Sequence, residues 1–390
     1  MSRLATVIRP RIEPGRRVIA VSDIHGNLPF FRGLLEKVRF SPDDVLVIVG
    51  DLLEKGTDSL ATLRYVLELQ KTHTVYALCG NCDHIDRMFL EGQAIENAAF
   101  SRRGNSLLGA ADAGVDQELW PVLSWWGERS VLLQMGLELG HPMPQGPGDL
   151  PALRAALLRH FPEETGFLLH LPTILEAGNF IFVHGGIPQE EGLERLDAYS
   201  CMKNDDFMGQ GRSFHKWVVV GHWPVTLYDP HIQRSAPLIN RERHIVSIDG
   251  GCVLKLDGQL NALILPDING DEMNFAAYDG LPCVTALDGQ PPSAEPLNIR
   301  WSDSVVEVLG EEGDCALVRH QSTGRELWLP RDFVSVWRDG KTHTEDATDY
   351  RLPVSPGDRL GLVRSTGRGY LVKKDGTTGW YCGRVEHNGT

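Results

Sequence analysis

The sequence VIAVSDIHGN, residues 18–27, decides the fold, because a short apolar run ends abruptly in polar residues and a glycine. A run this short and this rich in Val and Ile is typical of a strand buried on both faces. Helix-like segments with apolar residues at spacings of three and four follow at 29–39 and 59–71. Strands that alternate with helices in this way predict a layered α/β domain. Five later runs end as the first does, at residues 45–49, 74–79, 180–183, 217–220 and 245–248.

The polar residues that follow these runs have side chains that can bind divalent cations. In open α/β sheets the carboxyl ends of neighbouring strands meet at one edge, so we expect the polar clusters to converge there. Carboxylate and amide oxygens and imidazole nitrogens, with no thiolate required, favour Mn, Fe or Zn. The expected metal ligands are Asp23, His25, Asp51, Asn81, His184 and His222.

This set of ligands predicts a pair of cations and a specific chemistry. Asp51 is short and anionic, so it can bridge two ions about 3.5–4 Å apart, the spacing of two-metal hydrolases. A water that bridges the two ions loses a proton near neutral pH and attacks phosphorus in line. Asp23 and His25 would complete one ion, and the second would be completed by Asn81, His184 and His222.

The blocks SDIHGN, GDLLEKG, GNCDH, VHGG and GHWPV resemble those of the calcineurin-like metallophosphoesterases. Within these they are similar to the branch of serine/threonine phosphatases and symmetrical diadenosine tetraphosphatases. The later block IDGGCVLKLDGQLNALIL resembles the strand pair that closes the sheet in that branch. The resemblance covers residues 17–265, apart from much of a long insertion. It implies a β-sandwich flanked by helices, with the six ligands named above.

Two of these blocks depart from the family pattern at positions that matter for substrate. The second block commonly reads G-D-x-x-D-R-G, whereas this chain has Glu54 and Lys55 in place of the last D-R pair. A lysine is a point charge and cannot hold phosphate through two parallel hydrogen bonds as arginine does. The arginine that follows the third block in the protein phosphatases is also out of register, although Arg87 is nearby. The expected substrate-binding residues are Asn27, Lys55 and Arg87, with a turn cap as an equal alternative for Asn27.

The third block usually reads G-N-H-[ED], and its histidine protonates the leaving group. Here Cys82 holds that position and is followed by Asp83 and His84, so we list all three with Asp51 as catalytic candidates. A thiol with a pKa near ~8.5 can donate a proton but is a weak hydrogen-bonding group. His84 is the alternative donor, one residue further along. We therefore expect a preference for acidic leaving groups, since a departing alkoxide needs protonation in the transition state.

The bulk composition limits the classes of partner. The chain has 390 residues, with 38 basic against 52 acidic side chains and a formal charge of -14, which argues against general nucleic-acid binding. A phosphorylated substrate stays compatible with this charge because bound metals reverse the local field. Seven scattered cysteines favour a reducing compartment. Without a signal-like segment or an apolar stretch of ~20 residues, the expected location is cytoplasmic, with no membrane partner.

Changes in composition predict how the chain is divided. We expect a catalytic domain with a mostly helical insertion, then a linker rich in Pro, Ser and Gly, then a small all-β, SH3-like module. The segments GRELWLPRDFVSV and GTTGWYCGRVEH of that module echo one another and suggest two repeats. The predicted ranges are 1–16 for an N-terminal tail, 17–265 for the catalytic domain, about 86–178 for its insertion, 266–298 for the linker and 299–390 for the module.

Three functions remain open from the sequence. The first is a metal-dependent phosphatase, with Mn preferred over Fe or Zn, that acts on a phosphorylated side chain or a nucleotide. The second is a symmetrical dinucleoside tetraphosphatase, which would use the same centre on an anhydride. The third is a catalytically weak regulatory protein whose C-terminal module binds a peptide partner, although the complete ligand set argues against it.

Overall fold

The computed structural model describes residues 3–92 and 114–387, which fall into two compact units. The first unit comprises Met1–Trp223, Pro237–Val253 and Leu260–Tyr278, and the second comprises Pro224–Ala236, Leu254–Gln259 and Asp279–Thr390. The sequence predicted domains that follow one another along the chain. The structure differs, because the segments 224–236 and 254–259 leave the first unit and pack with the second.

Two sheets form the centre of the first unit. One contains, in spatial order, β11 (Asn274–Tyr278), β10 (Leu260–Leu265), β2 (Val18–Val21), β3 (Val45–Ile48) and β4 (Thr74–Ala77). The other contains β1 (Val7–Ile8), β5 (Ile174–Ala177), β6 (Phe180–Val183), β7 (Trp217–Val220), β9 (Ile245–Ser247) and β8 (Leu238–Asn240). Strands β2, β3 and β4 run parallel, as do β6, β7 and β9, so their carboxyl ends share an edge in each sheet.

The two sheets pack face to face, which explains why the central strands β2, β3, β6 and β7 are apolar at every position. One face of the first sheet contributes Val18, Ala20, Val45 and Val47 to a buried cluster that also contains Phe180, Phe182 and Val219 of the second sheet. The alternate residues point to the opposite face, where they pack with helices in a separate cluster that contains Ile19, Val21, Leu46 and Ile48. The first unit is therefore a sandwich with helices on one side, and the predicted mixed α/β fold is confirmed.

The helices described in the first unit start and stop at residues with clear local reasons. The Oδ1 atom of Asn27 accepts the N–H of Phe30 at 3.2 Å and caps the first helix. Asp83 accepts the N–H of Gly80 at 2.9 Å at the start of the third helix, which ends at Gly92 with φ 66°. None of the described helices has the length and apolar character needed to cross a bilayer. Their ranges are α1 Leu28–Lys37, α2 Ser59–Gln70, α3 Asn81–Glu91, α4 Val115–Trp126, α5 Val131–Glu138, α6 Leu150–His160, α7 Pro162–His170 and α8 Ala198–Met202.

Helices α4 to α7 lie in the stretch for which the sequence predicted a helical insertion, and part of that stretch, residues 93–113, lies outside the described residues. The predicted tail differs from the structure, since β1 pairs in parallel with β5. The predicted linker at 266–298 also differs, because it contains β11, β12 (Cys283–Ala286) and β13 (Asn298–Ile299). Strand pairing in these segments satisfies backbone groups that a free linker would leave to water.

The second unit consists mainly of short antiparallel strands. Strands β14 (Val306–Glu312), β15 (Cys315–His320) and β16 (Glu326–Pro330) form one meander, and β20 (Arg359–Thr366), β21 (Gly369–Lys374) and β22 (Thr377–Tyr381) form another. One apolar cluster joins Val318 and Leu329 of the first meander to Leu371 and Trp380 of the second, and another contains Leu360, Val372 and Tyr381 of the second. The two segments that echo one another in sequence contain β16 and β22. The SH3-like description of the module stays a prediction. The remaining strands are β17 (Val334–Val336), β18 (Thr342–Thr344), β19 (Ala347–Thr348) and β23 (Val385–His387).

Candidate metal centre

The expected ligands come from the carboxyl ends of strands in both sheets of the first unit. Asp23 and His25 lie in the turn after β2, Asp51 follows β3, and Asn81 is the first residue of α3 after β4. The second sheet contributes the two histidines that follow β6 and β7, which are His184 and His222. Because neighbouring strands run parallel, these turns lie side by side at the carboxyl ends of the strands.

Backbone hydrogen bonds lock the ligand-bearing turns to one another. In the first sheet the N–H of Asp23 donates to the carbonyl of Gly50 at 3.1 Å, and that of His25 donates to the carbonyl of Asp51 at 3.0 Å. In the second sheet the N–H of Gly221 donates to the carbonyl of His184 at 2.9 Å. The positions of the ligands relative to one another are therefore set by the main chain.

Four of the ligands have a left-handed backbone, which is uncommon for residues other than glycine. This conformation costs roughly 1–2 kcal/mol for an L-residue and concentrates at functional sites. The backbone hydrogen bonds between the turns hold this conformation in place and offset its cost. The φ angles are 54° for Asp23, 50° for His25, 48° for Asp51 and 66° for His222.

Two glycines allow the ligand carboxylates to approach the main chain. A Cβ atom on Gly80 would lie 2.2 Å from Oδ1 of Asp51, and one on Gly221 would lie 2.3 Å from Oδ2 of Asp23. Real Cβ atoms do not come this close to another heavy atom, so a side chain at either position would displace a ligand. These two glycines are thus required by contact.

The side chains form two groups with ligand geometry, and both groups contain Asp51. One group consists of His25, Asp51 and Cys82, and the other of Asp23, Asp51 and His184. Within the first, Nε2 of His25 lies 3.8 Å from Oδ2 of Asp51, and within the second, Nε2 of His184 lies 3.4 Å from Oδ1 of Asp51. Each oxygen of this one carboxylate therefore faces a different histidine.

Several observations show that the centre fits positive charge. Oδ1 of Asn81 and Nε2 of His184 are buried, and neither has a hydrogen-bond partner. Burial alone would raise the pKa of Asp51, but the neighbouring His184 brings that pKa well below its usual range. Against the effect of burial, the charges of Asp51 and Asp23 raise the pKa of His184 to about 9. Oxygen and imidazole donors left without partners in an anionic cluster fit divalent cations.

Each ligand histidine is oriented by a hydrogen bond from the ring nitrogen that does not face the cluster. Nδ1 of His184 lies 2.8 Å from the carbonyl of Val49, and Nδ1 of His25 lies 3.3 Å from the carbonyl of Leu53. For His222 the partner is a carboxylate, because its Nε2 lies 2.9 Å from Oδ1 of Asp205. Bonds of this kind select the tautomer that presents the other nitrogen to a metal.

Cys82, Asp83 and His84 occupy three different environments at the start of α3. Cys82 is buried beside Asp51, and burial, followed by the charge of Asp51, raises the pKa of its thiol well above the usual range. Asp83 accepts N–H groups from Gly80 at 2.9 Å and from Leu53 at 3.3 Å, so its carboxylate caps the helix. Burial and the charge of Arg87 lower the pKa of His84 to about 4.

Of the residues expected to bind substrate, only Lys55 contacts a ligand side chain among the hydrogen bonds of the described residues. Its Nζ lies 3.1 Å from Nε2 of His25, and the surrounding anionic groups raise its pKa although burial opposes them. Asn27 caps α1, which matches the alternative left open for it. Arg87 is buried, and its Nη2 donates to the carbonyl of Leu171 at 2.5 Å.

Two features of the centre were not predicted from the sequence. Asp205 lies in the loop KNDDF, which carries no motif, so nothing in the sequence marks it as the partner of His222. Glu54 accepts the N–H of Val131 at 2.8 Å and thereby holds the start of α5 beside the metal-ligand turns. Burial raises the pKa of Glu54 to about 8, and its neighbour Asp86 is likewise buried with a raised pKa.

Comparison with known proteins identifies relatives with related chemistry. The symmetrical bis(5'-nucleosyl)-tetraphosphatase of Pseudomonas putida is 34% identical over 114 residues, which cover 29% of this chain and 36% of that protein. Shewanella-like protein phosphatase 2 of Arabidopsis thaliana is 27% identical over 218 residues, 49% of this chain and 52% of the relative. The chain thus spans about a third to a half of the length of these curated relatives.

A solved structure of a protein serine/threonine phosphatase from Saccharomyces cerevisiae aligns with 71% of this chain and 85% of its own, at 10% identity and a TM-score of 0.42. The sequence profile of the calcineurin-like phosphoesterases matches residues 16–245. Because this match covers more than half of the chain, the protein belongs to the calcineurin-like phosphoesterase family, as its motifs predicted.

Proposed function

We propose that the protein is a phosphoesterase that uses two divalent cations to hydrolyse phosphate esters of proteins or nucleotides. The observation that carries this proposal is the sharing of Asp51, whose two oxygens face His25 at 3.8 Å and His184 at 3.4 Å. A carboxylate placed in this way can hold two cations side by side. The preferred metal is Mn, with Fe or Zn as alternatives, because the donors are oxygen and imidazole nitrogen.

Two bound cations supply an activated water and neutralise charge on the phosphate oxygens. The chain itself holds and orients the groups around them. The N–H of Cys82 donates to Oδ1 of Asp51 at 2.8 Å, which fixes the direction of the shared carboxylate. Asp23 is held by the N–H of His222 at 3.0 Å. Lys55, half-buried beside His25, provides a positive charge for a phosphate oxygen.

The leaving group receives only weak help from the candidate acids. His84 is neutral near pH 7, because its pKa is about 4, so it is a poor proton donor there. Cys82 keeps its proton, since its pKa is raised, but a thiol is a weak hydrogen-bond donor. The protein should therefore favour substrates whose leaving groups depart without protonation, such as aryl phosphates, phosphotyrosine or phosphoanhydrides.

A second candidate activity is the symmetrical cleavage of a dinucleoside tetraphosphate. It is supported by the 34% identity to the tetraphosphatase of Pseudomonas putida and by the same preference for an acidic leaving group. The alternative of a weakly catalytic regulatory protein requires an incomplete centre, whereas all six expected ligands are present in the chain. Peptide binding by the second unit stays a proposal. All seven cysteines are free, which supports a reducing location such as the cytoplasm.

The test is metal-dependent hydrolysis of p-nitrophenyl phosphate by the full chain. After treatment with EDTA and dialysis, we expect no turnover, and we expect added Mn to restore it. Asp51→Asn removes the shared charge and should lower kcat by at least about a hundredfold. Asp43→Asn changes an exposed aspartate and should leave kcat unchanged. Turnover that does not depend on metal, or full activity in Asp51→Asn, would overturn the proposal.

A substrate panel then separates the two candidate activities. Phosphopeptides, mononucleotides, cyclic nucleotides and diadenosine tetraphosphate should be compared by kcat/KM with Mn present. A value for diadenosine tetraphosphate that clearly exceeds the value for phosphotyrosine peptide would favour the tetraphosphatase, and the reverse order would favour the phosphatase.

A further inference from the structure

The segment that follows α8 is tied to the ligand turns of the second sheet. The N–H of Gly185, next to His184, donates to the carbonyl of Cys201 at 2.7 Å. The N–H of Lys203 donates to the carbonyl of Tyr199 at 2.7 Å and closes the helix. The chain therefore leaves α8 at a set position beside the centre, with Lys203 as the first residue beyond the helix.

The ammonium of Lys203 lies against a ligand histidine. Its Nζ is 2.6 Å from Oδ1 of Asp205 and 3.0 Å from Nε2 of His222. Nε2 of His222 also lies 2.9 Å from Oδ1 of Asp205, so Lys203 and His222 converge on one carboxylate oxygen. An ammonium has three N–H groups, and the hydrogen bond to Oδ1 of Asp205 uses one of them. The side chain of Lys203 is 39% exposed, so it borders both the centre and solvent.

Lys203 and Lys55 occupy different depths of the centre. Lys55 is half-buried and contacts Nε2 of His25, the nitrogen that faces Asp51. Lys203 contacts Nε2 of His222, the nitrogen that also faces Asp205. The side chain of Lys203 is exposed, so it lies nearer to solvent than the side chain of Lys55.

We propose that Lys203 binds a second anionic group of the substrate, next to the phosphate that is cleaved. This inference rests on the proposed phosphoesterase activity and narrows its substrate class to molecules with two neighbouring anions. The group is an oxygen anion, either the next phosphate of a phosphoanhydride or a carboxylate beside a phosphorylated residue. A charge-assisted hydrogen bond of this kind corresponds to about a tenfold or larger change in affinity.

The test measures binding by calorimetry to the full chain loaded with Mn, so it does not depend on turnover. The two probes are orthophosphate, which has one anionic centre, and methylenebisphosphonate, which has two. We expect Lys203→Met to raise the Kd for methylenebisphosphonate about tenfold relative to the Kd for orthophosphate, and Lys203→Arg to retain most of the difference. Lys216→Met is the matched control, because Lys216 is 37% exposed and paired with Glu176 at 2.7 Å.

A second pair of probes identifies the source of the anion. Phosphotyrosine peptides with either Glu or Ala beside the phosphotyrosine report on a carboxylate, and loss of the preference for Glu in Lys203→Met would assign Lys203 to it. An unchanged preference for two anions over one in Lys203→Met, with both pairs of probes, would overturn the inference. The inference would also be overturned if Lys203→Met weakened the binding of all the probes equally and weakened Mn binding as well. Lys203 would then act through His222 and not through a second anion.

The proposed function fails by a different result, which is the absence of metal-dependent turnover in the unaltered chain. Calorimetry would still report whether Lys203 distinguishes two anions from one.

Discussion

Oδ1 of Asp205 lies 2.9 Å from Nε2 of His222, so a carboxylate outside every sequence motif orients a candidate metal ligand. We expect Asp205→Ala to weaken Mn binding about 10- to 100-fold, the usual effect of removing such a partner. Asp205→Asn keeps a hydrogen-bond acceptor and should weaken Mn binding less than Asp205→Ala does. Calorimetry on the metal-free chain measures both. The neighbouring exposed Asp206→Asn is the control, and Mn binding in Asp205→Ala as tight as in this control would contradict the prediction.

The residue at position 82 should control the preference for leaving groups. We expect kcat/KM to be higher for aryl phosphates than for phosphoserine peptides, because neither Cys82 nor His84 is a strong acid near pH 7. Cys82→His should raise kcat/KM for phosphoserine peptides at least about tenfold and change the aryl value less. Cys382→His adds a histidine at an exposed position of the second unit and should change neither value. Equal values for the two substrate classes in the unaltered chain would sink the idea.

A methyl group at position 221 should damage the centre through contact alone. Gly221→Ala places Cβ 1.9 Å from Oγ of Ser22 and 2.3 Å from Oδ2 of Asp23, so these side chains must move. We expect a lower melting temperature and weaker Mn binding. Gly166→Ala is the control in α7, where the added Cβ meets nothing within 4 Å and the change should stabilise the helix by about 0.5–1 kcal/mol. Scanning calorimetry that shows the same effect for both variants would contradict this account.

The buried carboxyl of Glu54 should make the metal-free protein less stable as pH rises. Its pKa is raised to about 8 in the folded chain, so between its ordinary value near 4.5 and pH 8 the folded state binds more protons than the unfolded state. The free energy of unfolding must then fall as pH increases across that window. Glu54→Gln removes the ionisable group and should flatten this part of the profile. Urea unfolding at pH 5, 6.5 and 8 measures the effect, and profiles with equal slopes would rule it out.

The parts of the molecule that the sequence predicted are those in which chemistry and backbone geometry coincide. Asp23, His25 and Asp51 follow short apolar strands, have a glycine within three residues and need an unusual backbone, so their neighbours carry a recognisable pattern. Asp205 has none of these features. It lies in a loop of ordinary composition, and its contact with His222 joins residues that are 17 positions apart.

The same reasoning explains why the domain limits were harder to predict. The segments 224–236 and 254–259 join the second unit through strand and loop contacts with residues more than a hundred positions away. For example, buried Lys373 donates a hydrogen bond to the carbonyl of Asp257 at 2.7 Å, and no local sequence pattern predicts this contact. The role of Arg87 was equally hard to predict, since helix periodicity does not show that its guanidinium donates a hydrogen bond to the carbonyl of Leu171.

The ligands are divided between two sheets, with Asp23, His25, Asp51 and Asn81 on one and His184 and His222 on the other. A cation bound by both sets of ligands would link the two sheets, because the sheets cannot separate from one another without releasing it. The resistance of the first unit to heat should therefore follow free metal concentration, with about 2.7 kcal/mol gained at a hundred times the Kd. In a cell, metal supply would then set the lifetime of the folded protein as well as its activity.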